Sequence, residues 1–451
     1  MVSSAGERRA TVVVSGGRVS AVLPPGGAVT AARTIDVRGL HVLPGIIDTH
    51  VHTRHPGVPE REDFGSGTAA AAAGGITTLF EMPISKIPTN SADAVHRRIA
   101  AMTPQAYIDF ALYGGAGHQN LDDIAGQCEA GVVAFKTFLQ PPPPTRLAEF
   151  DGLWCTNELW LRDVMQRVRA TGLRHCFHCE VADMYATLQA QLEVRGRTTG
   201  RAHAESRPPE VEEASVAMVL AMATELAVPV GIVHASSPGS VRLAAVAKAR
   251  GLDVTVETCP PYLFFTDEAL DRLGPFAKCN PPLRSAEHQA GLWRVVQDGS
   301  VDYIGTDHSP FLHADKTAAG ENIFAAPPGL CGLELLTPLM LTAVHDGRLS
   351  LPLMVRLCSE QAAATFGLSH KGRVIEGADA DLTVVDLRHA WTYDASRAVT
   401  RSGANMAIYD GLPLRGRVVY TIVRGSPVID EGQLVGTPGH GRFVRPAART
   451  A

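Results

Sequence analysis

Short apolar runs alternate with longer helical stretches over most of this chain, and this alternation restricts the possible fold more than any other feature. Short apolar runs bounded by polar or glycine-rich segments predict buried strands. The eight candidate strands are the run ending at Ile47, Ile76–Phe80, Ile108–Tyr113, Val132–Phe138, Leu173–Phe177, Val228–Val233, Val254–Glu257 and Val301–Gly305. Helical spacing follows in segments such as Ser215–Leu226 and Ser240–Arg250. Repeated strand–helix units of this number predict a (β/α)₈ barrel, also called a TIM barrel.

Both ends of the chain have a different pattern, in which short strand-like runs are broken by glycine and proline. Thr11–Val14 and Arg18–Leu23 lie near the start, and Leu382–Asp386 and Val418–Val423 lie near the end. We expect these runs to form one small β-sandwich domain beside the barrel. The predicted division is 1–43 for the N-terminal part of the small β-domain, 44–372 for the barrel, and 373–451 for the C-terminal part.

Composition excludes several classes of protein. Of the 451 residues, 45% are hydrophobic and 19% are charged, which is typical of a globular protein with a large core. The net charge of -5 predicts neither a nucleic-acid nor a membrane partner. No apolar run reaches the length needed to cross a bilayer. Eight cysteines at irregular spacings indicate reduced thiols, and therefore a cytoplasmic protein.

Side chains that bind metals recur at the ends of the predicted strands, where barrel enzymes place their chemistry. The first strand runs into His50-Val51-His52, and alternation puts both imidazoles on one side of it. Taken alone, this pair equally fits two core or loop histidines. The other strand ends carry Lys136, His178, His234 and Asp307. Because several strands bring these groups to one rim, we expect a metal site there.

Lys136 and Asp307 allow more specific hypotheses. A lysine at the end of an apolar strand would be largely buried, where an ammonium without a partner is unfavourable. Lys136 could pair with a nearby acid, or its neutral amine could become a carbamate that bridges two metal ions. Asp307 could serve as the last ligand and as a proton shuttle that delivers a proton to a leaving nitrogen.

The motifs around these residues identify a family resemblance that extends over essentially the whole chain. They are Gly75-Ile76-Thr77-Thr78, Glu81-Met82-Pro83, Phe135-Lys136, His178-Cys179-Glu180, Glu257-Thr258-Cys259-Pro260, Lys278-Cys279-Asn280-Pro281-Pro282-Leu283-Arg284 and Asp307-His308-Ser309-Pro310. With them the chain resembles the cyclic amidohydrolases of the amidohydrolase superfamily, which include allantoinases, hydantoinases and dihydroorotases. The resemblance implies hydrolysis of a ring C–N amide bond in a small cyclic amide.

The resemblance also implies a dinuclear site. Relatives hold two divalent metal ions, commonly zinc, bridged by a carbamylated lysine and a hydroxide; Lys136 stands at the lysine position. Carried onto this chain, one metal would be held by His50, His52 and Asp307, and the other by His178 and His234. The hydroxide attacks a ring carbonyl, and Asp307 carries the proton to the departing nitrogen. Because relatives form dimers or tetramers, we expect a homodimer or a homotetramer.

Different segments resemble different members of the family, so the substrate is less well defined than the reaction. Glu81–Thr89 is most similar to allantoinases, whereas Asp109–Gly115 is closer to hydantoinases that form L-amino-acid derivatives. Arg54 resembles the arginine with which dihydroorotases bind the substrate carboxylate, although it also fits an ordinary loop arginine. Asn280 is a candidate substrate contact or a turn residue. We therefore predict an allantoin- or hydantoin-type substrate, with an acidic cyclic amide as the alternative.

Two departures from the family pattern concern the substrate and not the reaction. Pro261 stands where most relatives carry histidine, and Pro141 replaces a tyrosine with which D-type hydantoinases stabilise an oxyanion.

A further alternative is a non-catalytic scaffold protein of the dihydropyrimidinase-related kind. Such proteins have lost metal-binding residues, whereas all six positions are filled here, which favours an enzyme.

Overall fold

The computed structural model describes residues 1–27 and 29–447. The strands in these ranges are β1 Val2–Ser3, β2 Gly6–Glu7, β3 Thr11–Ser15, β4 Arg18–Leu23, β5 His41–Pro44, β6 Ile46–Val51, β7 Ile76–Glu81, β8 Asp109–Gly115, β9 Ala134–Phe138, β10 His175–His178, β11 Val230–Ile232, β12 Val254–Thr258, β13 Tyr303–Ile304, β14 Leu382–Thr392, β15 Pro413–Val423, β16 Ser426–Asp430 and β17 Gln433–Leu434.

The helices surround the barrel strands and connect them. They are α1 Phe64–Ala73, α2 Ala92–Met102, α3 Ile124–Ala130, α4 Glu158–Ala170, α5 Ala182–Val194, α6 Ala202–Ser206, α7 Pro209–Leu226, α8 Pro238–Ala249, α9 Pro260–Phe264, α10 Glu268–Leu273, α11 Ala286–Gln297, α12 His313–Thr317, α13 Leu336–His345, α14 Leu351–Val355 and α15 Gln361–Thr365. Within the described ranges, none of them has both the length and the apolar character that crossing a membrane requires.

Eight parallel strands, β6 to β13, form one sheet in sequence order and curl into a nearly closed barrel. A carboxylate on β6 binds the segment that follows β13. Asp48 accepts hydrogen bonds from the Thr306 backbone N–H (3.0 Å) and from the Thr306 hydroxyl (2.6 Å). Beyond it, the His52 backbone N–H donates to the His308 carbonyl at 2.7 Å. The predicted (β/α)₈ architecture is confirmed.

The small domain combines strands from both ends of the chain. β5 pairs with β14 in an antiparallel sheet of five strands, ordered β17-β16-β15-β14-β5. The β3–β4 hairpin lies against this sheet, and Val19, Val42, Leu382 and Ile422 belong to the shared apolar core. The predicted β-sandwich from both ends is confirmed, whereas the boundaries 1–43, 44–372 and 373–451 stay a prediction.

One strand differs from its predicted position. Lys136 was predicted at a strand end although it lies inside the predicted run Val132–Phe138, and β9 begins at Ala134 and continues to Phe138. The difference arises because α3 ends at Gly131 with a left-handed φ of 99°, and pairing with β8 begins only at Ala134. The expectation that Lys136 lies just beyond the strand was therefore wrong, and the lysine lies in the middle of β9.

A buried ion cluster joins the barrel to the small domain. The Lys371 ammonium lies 2.8 Å from Asp109 Oδ2 at the start of β8, 2.6 Å from Asp381 Oδ2 before β14, and 3.3 Å from Asp379 Oδ2. Arg424 also binds Asp109. Burial alone would lower the pKa of Lys371, but the carboxylates of Asp381 and Asp109 raise it. These three aspartates could hold a metal ion by their spacing, but a charged ammonium lies among them.

Removing this ammonium should destabilise the fold. Lys371→Met would leave the buried carboxylate of Asp381 without its cation, and we expect a loss of about 3–5 kcal/mol in the free energy of unfolding. The control is Arg388→Met, since the Arg388 side chain is 79% exposed where it meets Asp386. Exposed pairs of this kind contribute less than about 1 kcal/mol. Urea unfolding measures both variants, and equal small losses would contradict the assignment.

Candidate metal centre at the barrel rim

The structure brings all six predicted ligands to one end of the barrel. His50 lies on β6, His52 just after β6, Lys136 on β9, His178 at the end of β10, His234 after β11 and Asp307 after β13. The ring centroids of His50 and His52 are 5.1 Å apart, those of His50 and His234 are 5.2 Å apart, and those of His178 and His234 are 4.7 Å apart. The four imidazoles therefore form one continuous cluster.

One half of the cluster contains two imidazoles and a carboxylate. Asp307 Oδ1 lies 3.3 Å from His50 Nε2 and 3.2 Å from His52 Nε2. One ligand atom from each of these residues lies within 4.8 Å of the others. Two ring nitrogens and one carboxylate oxygen form a donor set that suits a first-row divalent ion and leaves coordination positions open.

The other half contains two imidazoles and the lysine. His178 Nδ1 and His234 Nε2 face each other at 3.0 Å. Lys136 Nζ is fully buried 5.1 Å from the Phe138 ring centroid, and it has no hydrogen-bond partner among the described residues. Burial lowers the pKa values of His178 and His234, and the charge of Lys136 lowers them further; together with His50 and His52, Lys136 also lowers the pKa of Asp307. Lys136 is thus electrostatically coupled to both halves of the cluster.

Burial sets the protonation of these groups. It lowers the pKa of His52 to about 3 and the pKa values of His178 and His234 below their ordinary range, so these three imidazoles are neutral. It also lowers the pKa of Lys136 to about 8. Burial alone would raise the pKa of Asp307, but the neighbouring histidines and Lys136 hold it below its usual value. Neutral imidazoles and an ionised carboxylate are the forms that bind a cation.

Three residues at this rim have a strained backbone. Arg54, His234 and Asp307 have left-handed φ values of 57°, 41° and 50°. Residues with a Cβ rarely adopt this region, and those that do occur more often at functional sites. Two of the three, His234 and Asp307, are candidate ligands. The chain just after β11 and just after β13 therefore holds these two residues in unfavourable backbone conformations.

Two glutamates support the histidines, and sequence reasoning had named them only as parts of motifs. Glu257 Oε1 lies 2.7 Å from His50 Nδ1, and Glu180 Oε2 lies 2.8 Å from His178 Nε2. Arg207 also donates to Glu180, at 2.7 Å. In the sequence, both glutamates could have been recognised as acids within or just after a predicted buried strand, because a buried carboxylate requires a partner.

The two predicted substrate contacts lie in loops. The Arg54 guanidinium donates to Pro310 O (2.7 Å) and Ser309 Oγ (2.5 Å), and it lies 4.5 Å from the Phe311 ring centroid. Arg54 thereby fastens the loop that follows Asp307. Asn280 lies between β12 and β13, and its buried Oδ1 has no partner in the described part of the chain. A substrate contact by Arg54 or by Asn280 stays a prediction.

Together, the fold and the cluster define a class of protein, a (β/α)₈-barrel hydrolase with candidate ligands for divalent metal ions at the carboxyl ends of its strands. The chain belongs to the amidohydrolase family, whose model matches residues 41–428. The family and the ligand set support divalent metal ions as cofactors.

Individual relatives extend this similarity over nearly the whole chain. An allantoinase of Deinococcus radiodurans is 37% identical over 448 residues, which cover 99% of this chain and 97% of the relative. A dihydroorotase of Methanothermobacter thermautotrophicus is 35% identical over 418 residues, which cover 93% of this chain and 90% of the relative. The solved L-hydantoinase (dihydropyrimidinase) from Arthrobacter aurescens superposes with a TM-score of 0.94 at 34% identity, and the match covers 98% of this chain and 97% of that one.

Single substitutions in each half of the cluster should reduce metal binding. We expect zinc-loaded wild-type protein to retain about two ions per chain, and His52→Ala or His178→Ala to retain about one or fewer, because each variant removes a ligand nitrogen. Elemental analysis after dialysis measures the content. His96→Ala, at an exposed position on α2, is the matched control. Wild-type content in both ligand variants would contradict the assignment.

Proposed function

We propose that this protein hydrolyses a ring C–N amide bond of an allantoin- or hydantoin-type cyclic ureide. The observation that carries the proposal is the buried cluster of nitrogen donors around the ionised Asp307 carboxylate. Similarity to an allantoinase and to an L-hydantoinase, over nearly the full length, supports the substrate class.

The proposed cofactors are two zinc ions. His50, His52 and Asp307 would hold one, and His178 and His234 the other. When bound, they would lower the pKa of a water molecule and polarise the ring carbonyl. We further propose that Lys136 is carbamylated: its neutral amine attacks CO₂, an N–C bond forms and one proton is released. The buried Nζ without a partner in the described residues, and its pKa of about 8, support this step.

Asp307 is the proposed proton carrier. Its side chain is 19% exposed, whereas those of His50 and His52 are only 1% and 7% exposed, so the carboxylate faces the opening. It would accept a proton from the attacking water and deliver it to the departing ring nitrogen. A C–O bond forms, the ring C–N bond breaks, and the products are a carboxylate and an N–H group on one open chain.

Three finer predictions rest on the sequence and the resemblance: zinc as the metal, a cytoplasmic location, and assembly into a homodimer or a homotetramer. The expected small-molecule partner is the cyclic amide itself.

A substrate panel tests the proposed reaction. Zinc-loaded protein should hydrolyse allantoin or 5-substituted hydantoins faster than dihydropyrimidines or dihydroorotate. Asp307→Asn should lower kcat/KM by about 10²–10⁴-fold, because the amide cannot carry the proton. Turnover is followed by the loss of the cyclic substrate. Lack of hydrolysis across the whole panel would contradict the proposal and favour the scaffold alternative.

A dihydroorotase is the second candidate, and the surroundings of Arg54 favour it. Arg54 is buried, its Nε has no partner among the residues described, and it lines a small cavity together with Arg61, Lys86 and the carboxylate of Glu149. Three cationic side chains against one carboxylate would suit a substrate that carries a carboxylate.

Substitution of Arg54 separates the two candidates. Because Arg54 fastens the loop after Asp307, we expect Arg54→Gln to lower kcat/KM by about 10–100-fold for every cyclic amide that the wild type hydrolyses. A dihydroorotase would instead prefer dihydroorotate and would lose that activity far more than activity toward allantoin. Steady-state kinetics with both substrates make the comparison, and a selective loss for the acidic substrate would contradict our leading proposal.

A further inference from the structure

Glu257 contacts ligands in both halves of the metal cluster, although it lies on β12, a strand that supplies no predicted ligand. The side chain is completely buried. Its Oε1 accepts from His50 Nδ1 at 2.7 Å and from the His234 backbone N–H at 3.2 Å. Its Oε2 accepts from the Thr49 hydroxyl at 2.5 Å. One oxygen atom therefore touches a ligand residue of each half.

These contacts determine which nitrogen of His50 is free. A carboxylate at Nδ1 requires the proton to be on Nδ1, so the lone pair lies on Nε2, the atom that faces Asp307. The same oxygen holds the backbone of His234, where φ is 41°. Glu257 thus orients one ligand through its ring and the other through its strained main chain.

We propose that Glu257 is a positioning residue that couples the two halves of the metal site. The proposal rests on the function proposed above, because it assumes that His50 and His234 bind different metal ions. If Glu257 sets both ligands at once, its loss weakens the binding of both ions, even though Glu257 binds neither.

Glu180 provides the contrast. Its Oε2 accepts from His178 Nε2 and from Arg207, so it touches one ligand in one half only. Its charge is matched by an arginine, whereas Glu257 forms no ion pair with lysine or arginine in the described parts of the chain. The two glutamates are equally buried, which makes Glu180 a matched control.

The surrounding residues leave room for Glu257 in this position. A Cβ added at Gly305 would lie 2.9 Å from Glu257 Oε2 and 3.0 Å from Thr49 Oγ1. A side chain at position 305 would therefore displace the carboxylate. The glycine after β13 keeps this space open at the point where β6, β12 and β13 approach one another.

Metal titration tests the coupling. Apo-protein is titrated with zinc in competition with a chromophoric chelator, and cobalt-loaded samples are compared by visible spectroscopy. We expect Glu257→Gln to weaken both binding events by about 10–100-fold and to change the cobalt spectrum. Glu180→Gln should weaken one event by a similar factor and leave the other unchanged. Thermal unfolding and circular dichroism establish that each variant is folded.

The outcomes separate this proposal from the proposed function. A wild type that binds no zinc at this rim overturns both. A wild type with two binding events, of which Glu257→Gln weakens one or neither, overturns only the coupling. If Glu257→Gln does not fold, the variant Thr49→Val takes its place in the test, because it removes one hydrogen bond to Glu257 Oε2. We expect Thr49→Val to weaken both events by about fivefold, and no change in either would overturn the coupling.

Discussion

The structure of the barrel rim depends on one constraint, which is that its nitrogen donors are buried away from water. The donors belong to His50, His52, Lys136, His178 and His234, and each of these residues is at most 6% exposed. Burial of polar nitrogens is unfavourable unless they acquire partners. At His50 Nε2 and Lys136 Nζ the described residues supply no hydrogen bond. Burial also lowers the pKa values of His52, His178 and His234, so these rings keep lone pairs that bound cations would satisfy.

Local sequence was sufficient for the architecture and for placing the candidate ligands at one rim of the barrel. The alternation of short apolar runs with helical segments predicted the barrel, because each strand and each helix leaves its own periodicity in the chain. The carboxyl ends of parallel strands meet at one rim, so a residue such as His178 at the end of β10 could be placed without knowledge of its neighbours. The proximity of Asp307 to His50 and His52 followed from the same rule.

Contacts across the barrel could not be predicted in this way. Glu257 and His50 are separated by 207 positions, and Arg54 and Ser309 by 255, so no local pattern records that they touch. The sequence marked Arg54 as a substrate contact or a loop residue, and only the folded chain shows its bonds to the loop after Asp307. The position of Lys136 within β9 also depends on where pairing with β8 begins. Supporting groups are thus harder to predict than ligands.

Diffraction from crystals of zinc-loaded protein would show whether the barrel rim binds two metal ions. Anomalous difference maps recorded at the zinc absorption edge locate the ions independently of any assumption about their ligands. We expect two peaks about 3.5–4 Å apart, one beside His50, His52 and Asp307 and the other beside His178 and His234, with carbamate density on Lys136 between them. No peak at the rim, or a single peak with an unmodified Lys136, would contradict this expectation.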